Sequence, residues 1–285
     1  MSDKTVHKFV VGSIVCAAIL DGISEGTLDL LFANVPLEIV TPVLARDNLR
    51  REDSFVYPNT CLLVSTGGYR LLVDTGFGDI EPGCGKLLSG LQELGVEPKD
   101  IDIVVLSHAH GDHISGNTDA EGRIVFPNAD WVMAKDEWNF WTVPENLAHL
   151  PPIYTDIARR QLPPIAKRLT LVDRETELVP GVFAVPLPGH TPGHMVVAVR
   201  SDGRELLYTA DAMLHPLHVE HPEWCALEWA DFDWEGVTRS RRQIYARAVA
   251  EDALVLAFHF HPFPSLGYIR QAGDGWRWET AQDQV

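Results

Sequence analysis

Ser107-His108-Ala109-His110-Gly111-Asp112-His113 is the stretch on which the fold turns. Four groups able to bind a cation stand within six residues, directly after the apolar run 102–106. That run is short and β-branched and reads as a buried strand. On an extended chain end, His108 and His110 are two apart and point to the same side. Gly111 lets the chain turn, which sends Asp112 and His113 toward a neighbouring position. Imidazole nitrogens beside a carboxylate suit zinc, and also iron, manganese or cobalt. A plain strand-to-helix turn explains a capping Asp but not three histidines next to it.

Working outward, residues 9–20, 61–65 and 70–74 read as strands. The last two flank Thr66-Gly67-Gly68-Tyr69, which has hairpin-turn chemistry. The apolar run 10–20 is read as strand rather than signal core, because no cleavage site follows it. Residues 86–94 have helical spacing and stop at Gly95. Downstream, 131–133 reads as strand and a helix begins at Lys135. The proline-rich stretch 144–164 holds a short helix over 154–161. Strands are expected at 182–185, 195–199, 206–209 and 254–258, and a helix at 234–250. The class is mixed α and β, without repeats. A single domain over 1–285 is expected, with 1–58 contributing a substrate or dimer loop.

Three further pieces carry candidate ligands. Pro188-Gly189-His190-Thr191-Pro192-Gly193-His194 is a tight loop between strands, and such loops hold side chains rigidly. His190 is the expected ligand there. His194 is expected behind it, or as a hydrogen-bonding partner within the loop. Leu206-Leu207-Tyr208-Thr209-Ala210-Asp211 is an apolar strand that delivers one carboxylate at its end, where it could bridge two cations. His259-Phe260-His261-Pro262 follows the last strand. His259 at the strand end is the preferred ligand, with His261 as the competing choice.

Composition limits the partners. Forty acidic residues face 23 basic ones, a net charge of -17, which repels nucleic acid and anionic membrane. No apolar run reaches bilayer length. Cys16, Cys61, Cys84 and Cys225 are scattered, so free thiols and a cytoplasmic setting are expected. A small-molecule substrate is the expected partner, with a homodimer as a further expectation, for which Leu28, Leu30, Leu31 and Phe32 offer apolar surface.

The four pieces, in this order, resemble the metallo-β-lactamase superfamily. Its His-x-His-x-Asp-His hallmark falls on His108, His110, Asp112 and His113, and its later ligands fall on His190, Asp211 and His259. Leu72-Val73-Asp74-Thr75-Gly76 resembles the family's early strand-end motif, with Asp74 orienting a ligand histidine. The resemblance runs over about residues 60 to 270. It implies an α+β fold, a four-layer αββα sandwich. It also implies two divalent metal ions, zinc first and iron, manganese or cobalt as substitutes. His108, His110 and His190 would hold one, Asp112, His113 and His259 the other, with Asp211 between them. The tail 259–267, together with 126–129 and 275–278, resembles the branch of methyl parathion hydrolase and related lactonases. No Cys stands where class B lactamases often place a ligand. His110 stands where flavo-diiron proteins usually have Glu. Ala212-Met213-Leu214 stands where some acyl-homoserine lactonases carry a Tyr.

The implied chemistry is attack of an activated water on a lactone, an ester or an organophosphate triester, with Asp112 and Asp211 as catalytic carboxylates. Phe32, Phe55, Trp138, Trp141, His215, Trp224 and His261 are the expected pocket residues. A glyoxalase II-type thioesterase is the alternative enzyme, although no Lys/Arg cluster is evident to bind its anionic carrier. A metal-binding sensor without turnover is the alternative of another class.

Overall fold

The computed structural model describes residues 4–228 and 230–281, so the two ends of the expected 1–285 domain lie outside the described residues. The chain opens with an antiparallel hairpin of β1 (Val6–Val11) and β2 (Ile14–Thr27). The expected single strand over 9–20 is corrected here, since the chain reverses at Gly12-Ser13. Gly12 has φ +58, and a Cβ on it would fall 2.4 Å from the Ser201 carbonyl oxygen. Apolar residues flank the turn on both sides, so periodicity does not register it.

Two short helices follow, α1 (Leu28–Leu31) and α2 (Leu37–Ala45). Then come β3 (Ser54–Thr66), β4 (Tyr69–Val73), α3 (Leu87–Glu93), β5 (Ile103–Val105) and α4 (Gly111–Ile114). The first half closes with β6 (Asp130–Ala134), α5 (Lys135–Thr142), α6 (Pro152–Gln161) and β7 (Leu169–Val172). These strands form a seven-stranded sheet in the order β1-β2-β3-β4-β5-β6-β7. The second sheet uses β8 (Thr176–Val179), β9 (Val182–Pro186), β10 (Met195–Ser201) and β11 (Arg204–Tyr208). After α7 (Leu217–Glu220) and α8 (Trp234–Ala250) it adds β12 (Leu254–Leu256), β13 (Leu266–Ala272) and β14 (Gly275–Thr280). Its order is β14-β13-β12-β11-β10-β9-β8.

Side-chain alternation decides what covers each face. Val197 and Val199 of β10 and Leu206 and Tyr208 of β11 join the large core shared with the first sheet. Val196, Ala198 and Leu207 point the other way and pack on Ile244, Tyr245 and Ala248 of α8. Asp233 caps α8 by accepting from the Gly236 amide at 2.9 Å. Across the molecule, Gly90 of α3 comes so close to Ile19 of β2 that a Cβ would meet it at 2.3 Å. The layers are therefore helix, sheet, sheet, helix: an α+β sandwich of the αββα kind.

A third apolar cluster lies apart from both. Leu28, Phe32, Val40 and Leu44 pack with Leu214, Leu217 and Trp224. This changes the expectation for a dimer surface at 28–32. Leu28, Leu31 and Phe32 are buried within the chain's own cluster, and Leu30 is the one left partly exposed.

Candidate metal centre

The segments after four strands, one in the first half and three in the second, bring their side chains together. His108 follows β5, and His110 precedes the first turn of α4, which carries Asp112 and His113. His190 comes from the β9–β10 loop, Asp211 from the turn after β11, and His259 from the loop after β12. The candidate ligand atoms of His108, His110, His190 and Asp211 all lie within 4.8 Å of one another, as do those of Asp112, His113, Asp211 and His259. Asp211 belongs to both groups and divides its oxygens between them. Its Oδ2 lies 3.7 Å from His108 Nε2 and 3.4 Å from His190 Nε2, while its Oδ1 lies 3.3 Å from His113 Nε2 and 3.4 Å from His259 Nε2. Asp112 Oδ2 reaches His113 Nε2 at 3.4 Å and His259 Nε2 at 3.3 Å.

These donors fit cations better than they fit one another. His110 Nδ1 stands 3.0 Å from His108 Nε2 and 3.0 Å from His190 Nε2, so three imidazole nitrogens converge on one point. His113 Nε2 and Asp211 Oδ1 are buried without a hydrogen-bond partner. Leaving such atoms bare costs about 1–3 kcal/mol each, which a bound cation would offset. The remaining ring nitrogens are held from behind. His113 Nδ1 lies 2.7 Å from Asp74 Oδ2, His190 Nδ1 2.8 Å from Asp231 Oδ1, and His259 Nδ1 3.1 Å from the Pro58 carbonyl oxygen. A proton on each Nδ1 leaves the Nε2 lone pair facing the centre.

The electrostatics agree. Burial drives His110 down to about 3, with His190 adding to the effect. Burial also opposes charge on His190 and His259, but the carboxylates outweigh it and hold both at about 9: Asp211 and Asp231 for the first, Asp211 and Asp112 for the second. Asp112 and Asp211 stay well below the usual carboxylate range, because the histidines outweigh the cost of burial.

His194 stands behind the centre rather than in it. Its Nδ1 donates to the Leu187 carbonyl at 3.2 Å, and its Nε2 accepts the Asp211 amide at 3.2 Å. Two buried carboxylates were not found in the sequence. Asp231 backs His190. Glu137 accepts from the Ala109 amide at 2.8 Å, Trp141 Nε1 at 2.7 Å, the Thr191 hydroxyl at 2.7 Å and the Gly193 amide at 2.9 Å. Neither lies in a motif, and their partners are distant in sequence.

A cavity of about 550 Å³ opens over Asp112, His110, His190, Asp211 and His259. Of the expected aromatics, Phe55 lines it. The others are placed elsewhere. Phe32 and Trp224 pack on each other at 5.4 Å, His215 lies edge-on to Phe32 at 5.6 Å, and Trp138 packs into the main core. Trp141 is spent on Glu137 and packs against the His110 ring at 5.8 Å. His261 is exposed and outside the lining, because the turn after His259 carries it outward. The lining includes Tyr57, Tyr154, Leu214, Ile153 and Ile157 instead. The Tyr57 ring lies 4.8 Å from that of His259, and the Tyr154 ring 5.4 Å from that of His110.

Residues 55–251 match the family described as the metallo-beta-lactamase superfamily. An N-acyl homoserine lactonase of a Bacillus species is 25% identical over 223 residues, covering 71% of this chain and 81% of that protein. The N-acyl homoserine lactonase AttM of Rhizobium radiobacter is 30% identical over 183 residues, covering 64% of this chain and 65% of its own. Among solved structures, AidC, a dizinc quorum-quenching lactonase in complex with a product, superposes with a TM-score of 0.85 at 27% identity, covering 98% of each chain. The hydrolase AbOPH superposes with a TM-score of 0.88 at 22% identity over the whole of both chains, a likeness of fold.

Proposed function

The chain belongs to the metallo-beta-lactamase superfamily, and from that premise we propose that it is a two-metal hydrolase that opens lactones carrying an apolar acyl chain. The observation that carries this reading is the pair of ligand groups sharing Asp211 at the floor of a largely apolar cavity. The likeness to named lactonases supports the choice of substrate class.

His108, His110, His190 and Asp211 would hold one cation, and Asp112, His113, His259 and Asp211 the other. Such a pair, with zinc preferred for this donor set, makes water acidic enough to attack near neutral pH and polarises the ester carbonyl. The residues of the chain supply the rest. Asp112, at 16% side-chain exposure, opens further to the cavity than Asp211 at 5%, so it is placed to return a proton to the alkoxide released on ring opening. Tyr57 lines the cavity beside His259, and its hydroxyl would suit a substrate oxygen. Leu30, Leu31, Phe55 and Leu214 on one side and Ile80, Ile153 and Ile157 on the other suit an acyl chain and exclude water from it.

The test is a substrate panel on zinc-loaded protein: N-hexanoyl-homoserine lactone, an aryl ester, a phosphotriester and a thioester. The lactone should give the highest kcat/KM, with phosphotriester turnover as a lesser activity. A thioester preference would overturn the reading in favour of a thioesterase, and no turnover at all would favour a metal-binding sensor. Among the described residues, no helix is long and apolar enough to cross a membrane. A cytoplasmic setting is proposed on the free state of all four cysteines. A homodimer is proposed on α2, where Leu37 and Ile39 remain exposed; mass in solution tests it.

A further inference from the structure

The two halves of the centre are held by unlike partners. Behind His113, Asp74 also accepts from the Ser107 amide at 2.7 Å, the Ser107 hydroxyl at 2.7 Å and the Tyr208 hydroxyl at 2.7 Å. Those donors are all uncharged. Behind His190, Asp231 accepts from the Ala226 amide at 2.8 Å and from Arg241 Nη2 at 3.4 Å. Asp231 and Arg241 are both 0% exposed, so this is a fully buried ion pair.

A buried guanidinium is tolerated only when its other donors are matched. Arg241, on α8, gives its Nε to the Ala212 carbonyl at 2.6 Å and its Nη1 to the carbonyls of Pro222, at 3.3 Å, and Trp224. Ala212 directly follows Asp211. One side chain thus fastens both the turn that carries Asp211 and the carboxylate that orients His190. The backbone adds to the hold, with the Phe232 amide on the His190 carbonyl at 3.1 Å and the Asp233 amide on the Gly189 carbonyl at 3.0 Å.

A carboxylate behind a ligand histidine fixes its tautomer and makes its free nitrogen a stronger donor. A guanidinium on the same carboxylate draws off part of that negative charge. His190 is therefore as well oriented as His113 but less strengthened as a donor. The His190 half also shares its one carboxylate, Asp211, whereas the His113 half has Asp112 in addition. We infer that Asp231, clamped by Arg241, is a positioning residue for His190, and that the half-site of His108, His110 and His190 is the weaker one and gives up its cation first. The inference rests on the two-metal reading above.

The test measures metal affinity rather than turnover. Wild-type protein carrying two cobalt ions is titrated with a chelator, and two phases of loss are expected. Asp231→Asn removes the charge at constant shape. It should weaken the first-lost phase by about 10–100-fold and leave the second within about twofold. If that variant does not fold, Asp231→Glu keeps the charge but moves the oxygen, and it should shift the same phase in the same direction. Independently of any variant, wild-type protein given one equivalent of cobalt should show paramagnetic shifts on the ring protons of His113 and His259. Shifts on His110 and His190 first, or an Asp231→Asn effect that is absent or equal on both phases, would overturn the inference while leaving the two-metal reading intact. Fewer than two cations bound by the wild type would overturn both.

Discussion

The cradle of ligands and the wall of the cavity are built in opposite ways. Each candidate ligand stands at or just beyond a strand end of the sandwich, and Asp74, Asp231 and Glu137 brace the loops that carry them. The wall facing it is gathered from Leu30, Leu31, Phe55, Tyr57, Ile153, Tyr154, Ile157, Leu214, Ala226 and Ala230, and much of it rests on the separate apolar cluster of Phe32, Leu44 and Trp224. Polar bracing fixes positions to a fraction of an ångström, which bond chemistry needs. An apolar wall fixes only shape and volume, which selects among substrates. The two should therefore change independently.

The largest effect is expected in the cradle. Asp211→Ala removes the carboxylate common to both groups and should lower kcat/KM by more than about 1,000-fold, with fewer than two metal ions per chain by elemental analysis. Next is pH. In the metal-free protein His190 and His259 hold protons up to about 9, and Asp112, Asp211 and Asp74 outweigh burial to raise His113 as well, so a cation must displace one proton in the His190 half and two in the half of His113 and His259. Apparent zinc affinity of the His190 half should fall about 100-fold from pH 9 to pH 7, a slope of one proton, and flatten above 9, while that of the half of His113 and His259 should fall more steeply. In the same metal-free protein charged His190 and His259 stabilise the fold fully below about 6.5, and that contribution is lost as pH rises through about 9. Thermal melts across that window check it.

In the wall, Ala230→Leu should narrow the cavity and lower kcat/KM for a decanoyl relative to a butanoyl lactone by about tenfold or more, with metal content unchanged. A loss of metal in that variant would break the separation of cradle from wall. Tyr57→Phe removes one donor and should cost about 1 kcal/mol, a fall of about fivefold in kcat/KM. His261→Ala, outside the lining, should change kcat/KM by less than about twofold, and a larger loss would mean that the turn after His259 reaches the substrate.

The sequence was most legible where the chain places like groups side by side. His108, His110, Asp112 and His113 are contiguous, and the helix read at 234–250 matches α8 because Asp233 caps it and its spacing is regular. Four kinds of feature were not legible. The reversal at Gly12-Ser13 lies inside an apolar run, so neither face of the pattern changes there. The short α1 and α2 are bounded or interrupted by Pro36 and Pro42, and the strands at 266–280 gave no clear signal beside the Gly273 turn. Asp231 and Glu137 look like any surface acid in the linear chain. Their partners at His190, and at Ala109, Thr191 and Gly193, lie 28 to 56 residues away. Phe32 and Trp224 have the composition of a pocket but satisfy each other.

Glu137 has a consequence for anyone who would move this centre into another scaffold. A Cβ on Gly193 would sit 2.0 Å from the Glu137 amide nitrogen, so the His190 loop and α5 touch backbone to backbone. The same carboxylate ties that loop to Ala109, between the two leading histidines. The smallest transplantable unit is therefore not one motif: grafting the histidine-rich loop alone would carry over His108, His110, Asp112 and His113 and leave behind His190, Asp211, His259 and the keel that sets their spacing.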